Sequence, residues 1–146
     1  MKNTLYVRFA ERSELKWINE CYDKVDFVQS KFDNEIIAIA EFDGEKAGVG
    51  RLVKIDDQTF ELGGIYVSES FRNKGIAKKL VIFLLDYVMP SKTVYCIPFE
   101  HLAPFYKKCG FTDCYNLDLV PKEVVKKYFW CKEKYSQPTS LLVLKK

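Results

Sequence analysis

The sequence predicts an α+β fold of about seven strands, mostly antiparallel, flanked by helices. Three observations predict it. First, Glu35–Phe42 and the run through Val53 read as two strands around an Asp43-Gly44 hairpin turn, and Phe60–Val67 follows after a turn at Asp56-Asp57-Gln58. Three antiparallel strands therefore stand in succession. Second, apolar residues recur at helical spacing in the stretches between the other strands, which are punctuated by Pro90, Gly110 and Pro121. Third, the order is β-α-β-β-β-α-β-α-β-α-β, with no repeat, low-complexity tract or linker, so residues 1–146 read as one domain.

Leu5, Val7 and Phe9 alternate with Tyr6 and Arg8, a half-buried first strand. Leu15, Ile18 and Tyr22 mark a helix over 11–22. Residues 25–34 show no period and read as a loop or a short helix. Gly75–Met89 is a helix that is apolar nearly all round in its last three turns, so deep cover is expected. Thr93–Ile97 is a short buried strand. His101–Cys109 is a helix with Leu102, Phe105 and Cys109 on one face, Phe105 in the core, and Gly110 at its end. Phe111 to about Leu119 reads as a strand. Pro121 opens a helix reaching about Tyr135 with Val124, Tyr128 and Cys131 inward, and Ser140–Leu144 is the last strand.

Composition narrows the function classes. With 48% hydrophobic and 29% charged residues this is an ordinary globular composition, and a net charge of +3 on scattered lysines gives no case for nucleic acid. Lys126–Lys127 and Lys145–Lys146 read as solvated faces. The first residues lack the apolar core of a secretory signal, and the longest apolar run, Leu80–Leu85, is far too short to span a membrane. Cys21, Cys96, Cys109, Cys114 and Cys131 are odd in number and without a CxxC pair, which points to reduced thiols, a cytoplasmic setting and no metal site.

The stretch Phe60–Leu80 carries the chemistry. A strand leads through a polar turn into Arg72-Asn73-Lys74-Gly75 and directly into a helix. Helix N-termini present unpaired N–H groups and partial positive charge, so this junction is a cradle for an anion, most naturally a phosphate. Gly48-Val49-Gly50 lies inside a hairpin strand with no helix behind it, so it is no dinucleotide fingerprint. Gly48 and Gly50 read instead as a bulge or a close backbone approach. No Gly-Lys-Ser or Gly-Lys-Thr is present, which excludes a nucleoside-triphosphate loop of that type.

Arg72-Asn73-Lys74-Gly75-Ile76-Ala77 resembles the pyrophosphate loop of the GNAT superfamily of acyl-CoA-dependent N-acyltransferases, Gln/Arg-x-x-Gly-x-Gly/Ala. Ala103-Pro104-Phe105-Tyr106-Lys107-Lys108-Cys109-Gly110-Phe111 resembles that family's second signature, and the order of elements resembles its fold over nearly the whole chain. The resemblance implies a three-layer fold with a mixed central sheet. It implies acetyl-CoA as cosubstrate and direct acetyl transfer to a primary amine, from a small molecule or a peptide, in a ternary complex. Acetyl-CoA would be held by Ile65, Tyr66 and Val67 along its pantetheine arm, by Arg72, Asn73, Lys74, Gly75, Ile76 and Ala77 at the pyrophosphate, and by His101, for which a helix-end role or a catalytic one is the alternative. Arg72 has an alternative partner in the Glu69 carboxylate. By position, Ile65 N–H is the oxyanion donor, Tyr106 the general acid and Glu61 the general base, with packing the alternative for Tyr106 and acceptor recognition or a surface carboxylate the alternatives for Glu61.

For the acceptor, Asp23, Asp26 and Asp33 are candidates to attract a cation, and Phe27, Phe32 and Trp130 to wall its stem; ordinary surface and packing roles are equally open to them. Neither Cys109 nor Cys114 has the histidine partner a covalent route would want. No metal, nucleic acid or membrane partner is expected, and the protein is expected as a monomer or homodimer. The alternative is a non-catalytic acyl-CoA-binding sensor with the same fold.

Overall fold

The computed structural model describes residues 4–146. Among them a seven-stranded mixed sheet runs in the order β1-β2-β3-β4-β5-β7-β6. The strands are β1 Leu5–Phe9, β2 Glu35–Phe42, β3 Glu45–Asp56, β4 Thr59–Val67, β5 Thr93–Cys96, β6 Thr112–Asp113 and β7 Leu142–Lys145. Four α-helices accompany them: α1 Leu15–Asp23, α2 Ile76–Tyr87, α3 Ala103–Lys108 and α4 Lys122–Lys134. The pairs β1–β2 and β2–β3 are antiparallel, as are β5–β7 and β6–β7, whereas β4 and β5 run parallel with Thr59–Leu62 beside Thr93–Cys96. No helix among the described residues is long and apolar enough to cross a membrane. The expected order of elements and fold class are thus observed. Contacts divide the chain into two compact units, one comprising the residues up to Val53 with Gly64–Tyr87, the other Lys54–Gly63 with Val88–Lys146.

In the first unit, Asp43 and Gly44 both take positive φ, 51° and 86°, the backbone a two-residue hairpin turn demands. α1 buries Ile18, Cys21 and Tyr22 against Ile37, Ile39, Val49 and Tyr66. Gly48 and Gly50 serve close approach. A Cβ on Gly48 would stand 2.9 Å from the Tyr66 carbonyl and 3.3 Å from Ile76 and Leu80, and one on Gly50 would stand 2.6 Å from Ile65. Removing both side chains lets α2 settle onto β3. Ile76, Leu80, Val81, Leu84 and Leu85 are buried, but Ile82 and Tyr87 are 40% and 46% exposed. The expectation of all-round cover on this helix is corrected: α2 packs one face on the sheet and leaves Ile82 and Tyr87 partly exposed, Tyr87 edge-on to Phe9 at 5.9 Å. Phe9 is likewise half exposed, its ring edge-on to Phe83 at 4.8 Å.

In the second unit, Tyr95, Val120, Val124 and Leu141 form the core, joined by half-buried Ile55 and Tyr128. Cys131 is also buried, so α4 turns the expected face inward. Two expectations are corrected. The strand read over 111–119 shrinks to Thr112–Asp113, because Asn116 Oδ1 accepts from Asp118 N–H and starts a 3-10 turn at Leu117–Leu119. Such a local bond competes directly with the ladder. On α3, Ala103 and Tyr106 are buried, Leu102 is 41% exposed and Phe105 is half-buried. The 3-10 turn at Glu100–Leu102 advances the helical phase, and the inward face shifts by one residue.

Candidate functional site

β4 ends at Val67 and leads through a 3-10 turn, Glu69–Phe71, to extended Arg72. Asn73 and Gly75 then take φ of +66° and +76° before α2 begins at Ile76. Left-handed residues at such a place can turn backbone N–H groups toward an anion, and here they stand at the positive end of a twelve-residue helix. Asparagine tolerates the left-handed region better than most residues, and glycine does so freely. A Cβ on Gly75 would meet nothing within 4 Å, so the chain itself leaves the mouth of the cradle open. Lys74 Nζ lies 5.3 Å over the Phe42 ring. The Arg72 guanidinium donates through Nε to the Val67 carbonyl at 3.1 Å, the bond the structure gives it in place of the Glu69 carboxylate. Beside the cradle lies a pocket of about 540 Å³ lined by Lys24, Val25, Tyr66, Ser68, Glu69, Ser70 and Arg72.

Further back, β4 is not regular. Gly64 stands at φ +59°, and its carbonyl accepts the Tyr22 hydroxyl at 2.8 Å. A Cβ there would lie 2.6 Å from that hydroxyl and 2.8 Å from Arg51 Nε. Tyr22 is fully buried, and burial pushes its phenol well above the usual range. The Arg51 guanidinium lies 4.4 Å over the Tyr22 ring, donates to the Val28 carbonyl at 2.9 Å and bonds the Ser30 hydroxyl. Ile65 and Val67 are half-buried and Tyr66 is buried, which sets this end of β4. Sequence reasoning missed the contacts that Tyr22, Arg51 and Ser30 make around this kink. The available signal was Gly63-Gly64 inside a strand, a mark of a backbone irregularity.

In the second unit, Glu61 is 4% exposed. Lys127 Nζ stands 2.8 Å from its Oε2 and 2.9 Å from its Oε1. A surface carboxylate at Glu61 is ruled out, and the reading of Lys127 as a solvated face is corrected, because a buried carboxylate draws the nearest cation of α4 onto itself. Cys96 lies near this pair; burial first, then the Glu61 charge, pushes its thiol well above the usual range. Tyr106 is buried, edge-on to Phe105 at 5.0 Å and to Phe111 at 6.2 Å. Burial holds its phenol well above the ordinary value, with Cys96 and Cys109 adding to the effect, so it keeps its proton at neutral pH. His101 is exposed and stacks on Phe99 at 6.1 Å with the planes 7° apart.

The aromatic residues expected around an acceptor have partners of their own. Phe27 and Phe32 are half-buried against the α1 core; Phe27 tilts against Tyr22 at 6.0 Å, and Arg12 lies 5.4 Å over Phe32. Trp130 is 42% exposed, edge-on to Tyr135, with Lys134 Nζ 5.1 Å above its ring. Asp23 accepts from Gln29 Nε2 at 3.1 Å. Asp33 is exposed, and Asp26 is exposed at φ 58°.

The sequence model of the Acetyltransferase (GNAT) family matches residues 5–111. Among the curated proteins no sequence matches the chain. Solved structures similar to it include N-acetylglutamate synthase from Neisseria gonorrhoeae complexed with coenzyme A and L-arginine, with a TM-score of 0.75 at 15% identity over 99% of this chain and 34% of that one. The chain thus spans about one third of the synthase. Escherichia coli ElaA is similar at a TM-score of 0.71 and 16% identity, over 97% of this chain and 100% of that one. Rv2747 from Mycobacterium tuberculosis, in a structure containing CoA, reaches a TM-score of 0.71 at 20% identity over 97% and 99%. Likeness at this level of identity establishes the fold.

Proposed function

The chain belongs to the acetyltransferase (GNAT) family, and from that premise we propose that residues 1–146 act as a single domain transferring an acetyl group from acetyl-CoA to a primary amine within a ternary complex. The observation that carries the reading is the cradle: left-handed Asn73 and Gly75 at the N-terminus of α2, with open space where a Gly75 side chain would stand. Its donor set suits a pyrophosphate. The backbone amides of Asn73 to Ala77 would bind it, with Lys74 free to swing from Phe42 and Arg72 bracing the end of β4. Main-chain groups of Ile65, Tyr66 and Val67 would hold the pantetheine arm, and exposed His101 would add a contact. Bound acetyl-CoA supplies the activated acyl group and a thiolate leaving group. CoA also stands in the names of the synthase and mycobacterial structures above.

The remaining work falls to this chain's own groups. Ile65 N–H, following the Gly64 kink, would stabilise the tetrahedral oxyanion. Tyr106 enters with its proton in place, as a general acid must. Glu61 would receive the acceptor amine and act as its base, directly or through water. Phe27, Phe32 and Trp130 stand as the proposed acceptor walls. A glucosamine-6-phosphate N-acetyltransferase from Arabidopsis thaliana among the similar folds fits a small-molecule acceptor. One observation favours a second reading, an acyl-CoA-binding sensor: Glu61 already holds Lys127. A thiol-release assay with acetyl-CoA against amines, amino acids, polyamines and peptides decides between them. Turnover with any acceptor establishes the enzyme; tight acetyl-CoA binding with no release over the whole panel favours the sensor.

A further inference from the structure

Both oxygens of Glu61 lie within hydrogen-bonding distance of one ammonium, that of Lys127, at 2.8 and 2.9 Å. The two partners differ in freedom. Glu61 projects from β4, the middle strand of the sheet order, and its side chain is 6% exposed. Lys127 reaches it along a flexible aliphatic stem from α4, with its side chain 37% exposed. Such a lysine withdraws into solvent by rotating its own torsions, and the carboxylate cannot follow. Withdrawal alone would strand an uncompensated charge in the interior, which is strongly unfavourable. Lys127 therefore leaves readily only when another cation arrives.

Beside the carboxylate the chain leaves a side-chain position unfilled. Gly63, two residues along β4, is not among the glycines with positive φ, and a Cβ there would meet only Glu61 Oε2, at 3.5 Å, an ordinary contact. Neither backbone strain nor crowding by the chain calls for glycine at this place. What the missing side chain leaves is space against the carboxylate. The neighbouring groups do not compete for the cation: burial keeps the Cys96 and Cys131 thiols protonated. α4 lies beyond residues 5–111, the part of the chain the family model matches, so the occupant comes from a segment outside that match.

We propose that Lys127 is an exchangeable occupant of the site that receives the acceptor's ammonium group, and that it selects acceptors able to replace it on Glu61 in the space beside Gly63. The inference rests on the reading of Glu61 as the residue that receives the acceptor. It narrows the acceptors to unhindered primary ammonium ions; neutral or anionic molecules do not displace Lys127.

n-Propylammonium reproduces the part of the side chain that Lys127→Ala removes. Calorimetry on the full chain without acetyl-CoA compares wild type, Lys127→Ala and the double variant Glu61→Gln/Lys127→Ala, with 1-propanol as the neutral control. The Kd for n-propylammonium is expected to fall by at least about tenfold in Lys127→Ala, because no resident ammonium holds the site. Binding is expected to vanish in the double variant, and propanol to bind none of them. Equal affinity in wild type and Lys127→Ala overturns the proposal, as does binding that survives in the double variant, and so does a wild type that binds no n-propylammonium while Lys127→Ala does, the result of a fixed pair whose removal merely leaves a hole. Should Lys127→Ala not fold, Lys127→Met probed with methylammonium carries the same expectations. The readout needs no turnover, so absence of acetyl transfer in the thiol-release assay would count against the enzyme reading and not against this one.

Discussion

Tyr22 and Gly64 are 42 positions apart, yet one hydrogen bond of 2.8 Å ties the side chain of the first to the backbone of the second. Gly64→Ala would force a side chain into the left-handed region and against the Tyr22 hydroxyl and Arg51 Nε. A loss of about 2–4 kcal/mol in stability is expected, read from the denaturant midpoint. Tyr106 poses the sharper catalytic question, since its edge-on contacts with Phe105 and Phe111 explain packing as well as chemistry. Tyr106→Phe keeps the ring and removes the proton. If it is the general acid, kcat falls by about 100-fold with acetyl-CoA affinity unchanged; an unaltered kcat would return Tyr106 to packing alone. At this scale the sequence was uneven as a guide. Tyr106 and Glu61 were singled out as candidates because a motif and a strand position pointed to them. Lys127 and Arg51 were not, because nothing local distinguishes a lysine on a helix face, or an arginine in a strand, from its solvated counterparts.

Elements were read more securely, since their signals are local. Asp43-Gly44, Gly110 and Pro121 each mark a boundary through their own backbone preferences, and the structure places a turn, a helix end and a helix start at them. Failures came where a local bond or the depth of packing intervened, as with Asn116 ending β6 and the open outer face of α2. The loop from Arg72 to Ala77 yields a clean test. Gly75→Glu would place a strained residue and a negative charge at the mouth of the cradle without touching the core. Acetyl-CoA binding by calorimetry should be lost while the melting temperature falls only by the few degrees a left-handed side chain costs; retained affinity would overturn the pyrophosphate assignment. A second element-scale device joins β1, the lead-in to α1, β2 and β3. Glu14 is bonded by Arg8 at 2.8 Å and Lys46 at 3.1 Å, and Arg8 also holds Glu41 at 2.7 Å. The Arg8 hydrogen bond is the main cause that lowers the Glu14 carboxyl from 4.5 to about 2. Because the folded value lies below the unfolded one, the stabilisation is present above pH 4.5 and drains away as pH falls toward 2. Glu14→Gln should remove about 2 kcal/mol at neutral pH and flatten the loss of stability across that window, measured by urea unfolding at stepped pH.

For the whole molecule, the five cysteines report on integrity. Cys21, Cys96 and Cys131 are buried and Cys109 and Cys114 half-buried, and burial raises the thiols of Cys21, Cys96, Cys114 and Cys131. Thiol labelling at neutral pH should modify Cys109 and Cys114 first, with the other three reacting only as the protein unfolds; early labelling of Cys96 would contradict the packing around Glu61. The sequence by itself determined the order of strands and helices and the glycine-bearing loop that opens α2. Periodicity, turn residues and the polarity of a helix N-terminus all act within a few residues of one another. The tertiary structure alone decided what each buried charge faces. Lys127 meets Glu61 across 66 positions of chain, a pairing that exists because burial makes a carboxylate intolerant of solitude, and no local pattern encodes which distant cation will answer it.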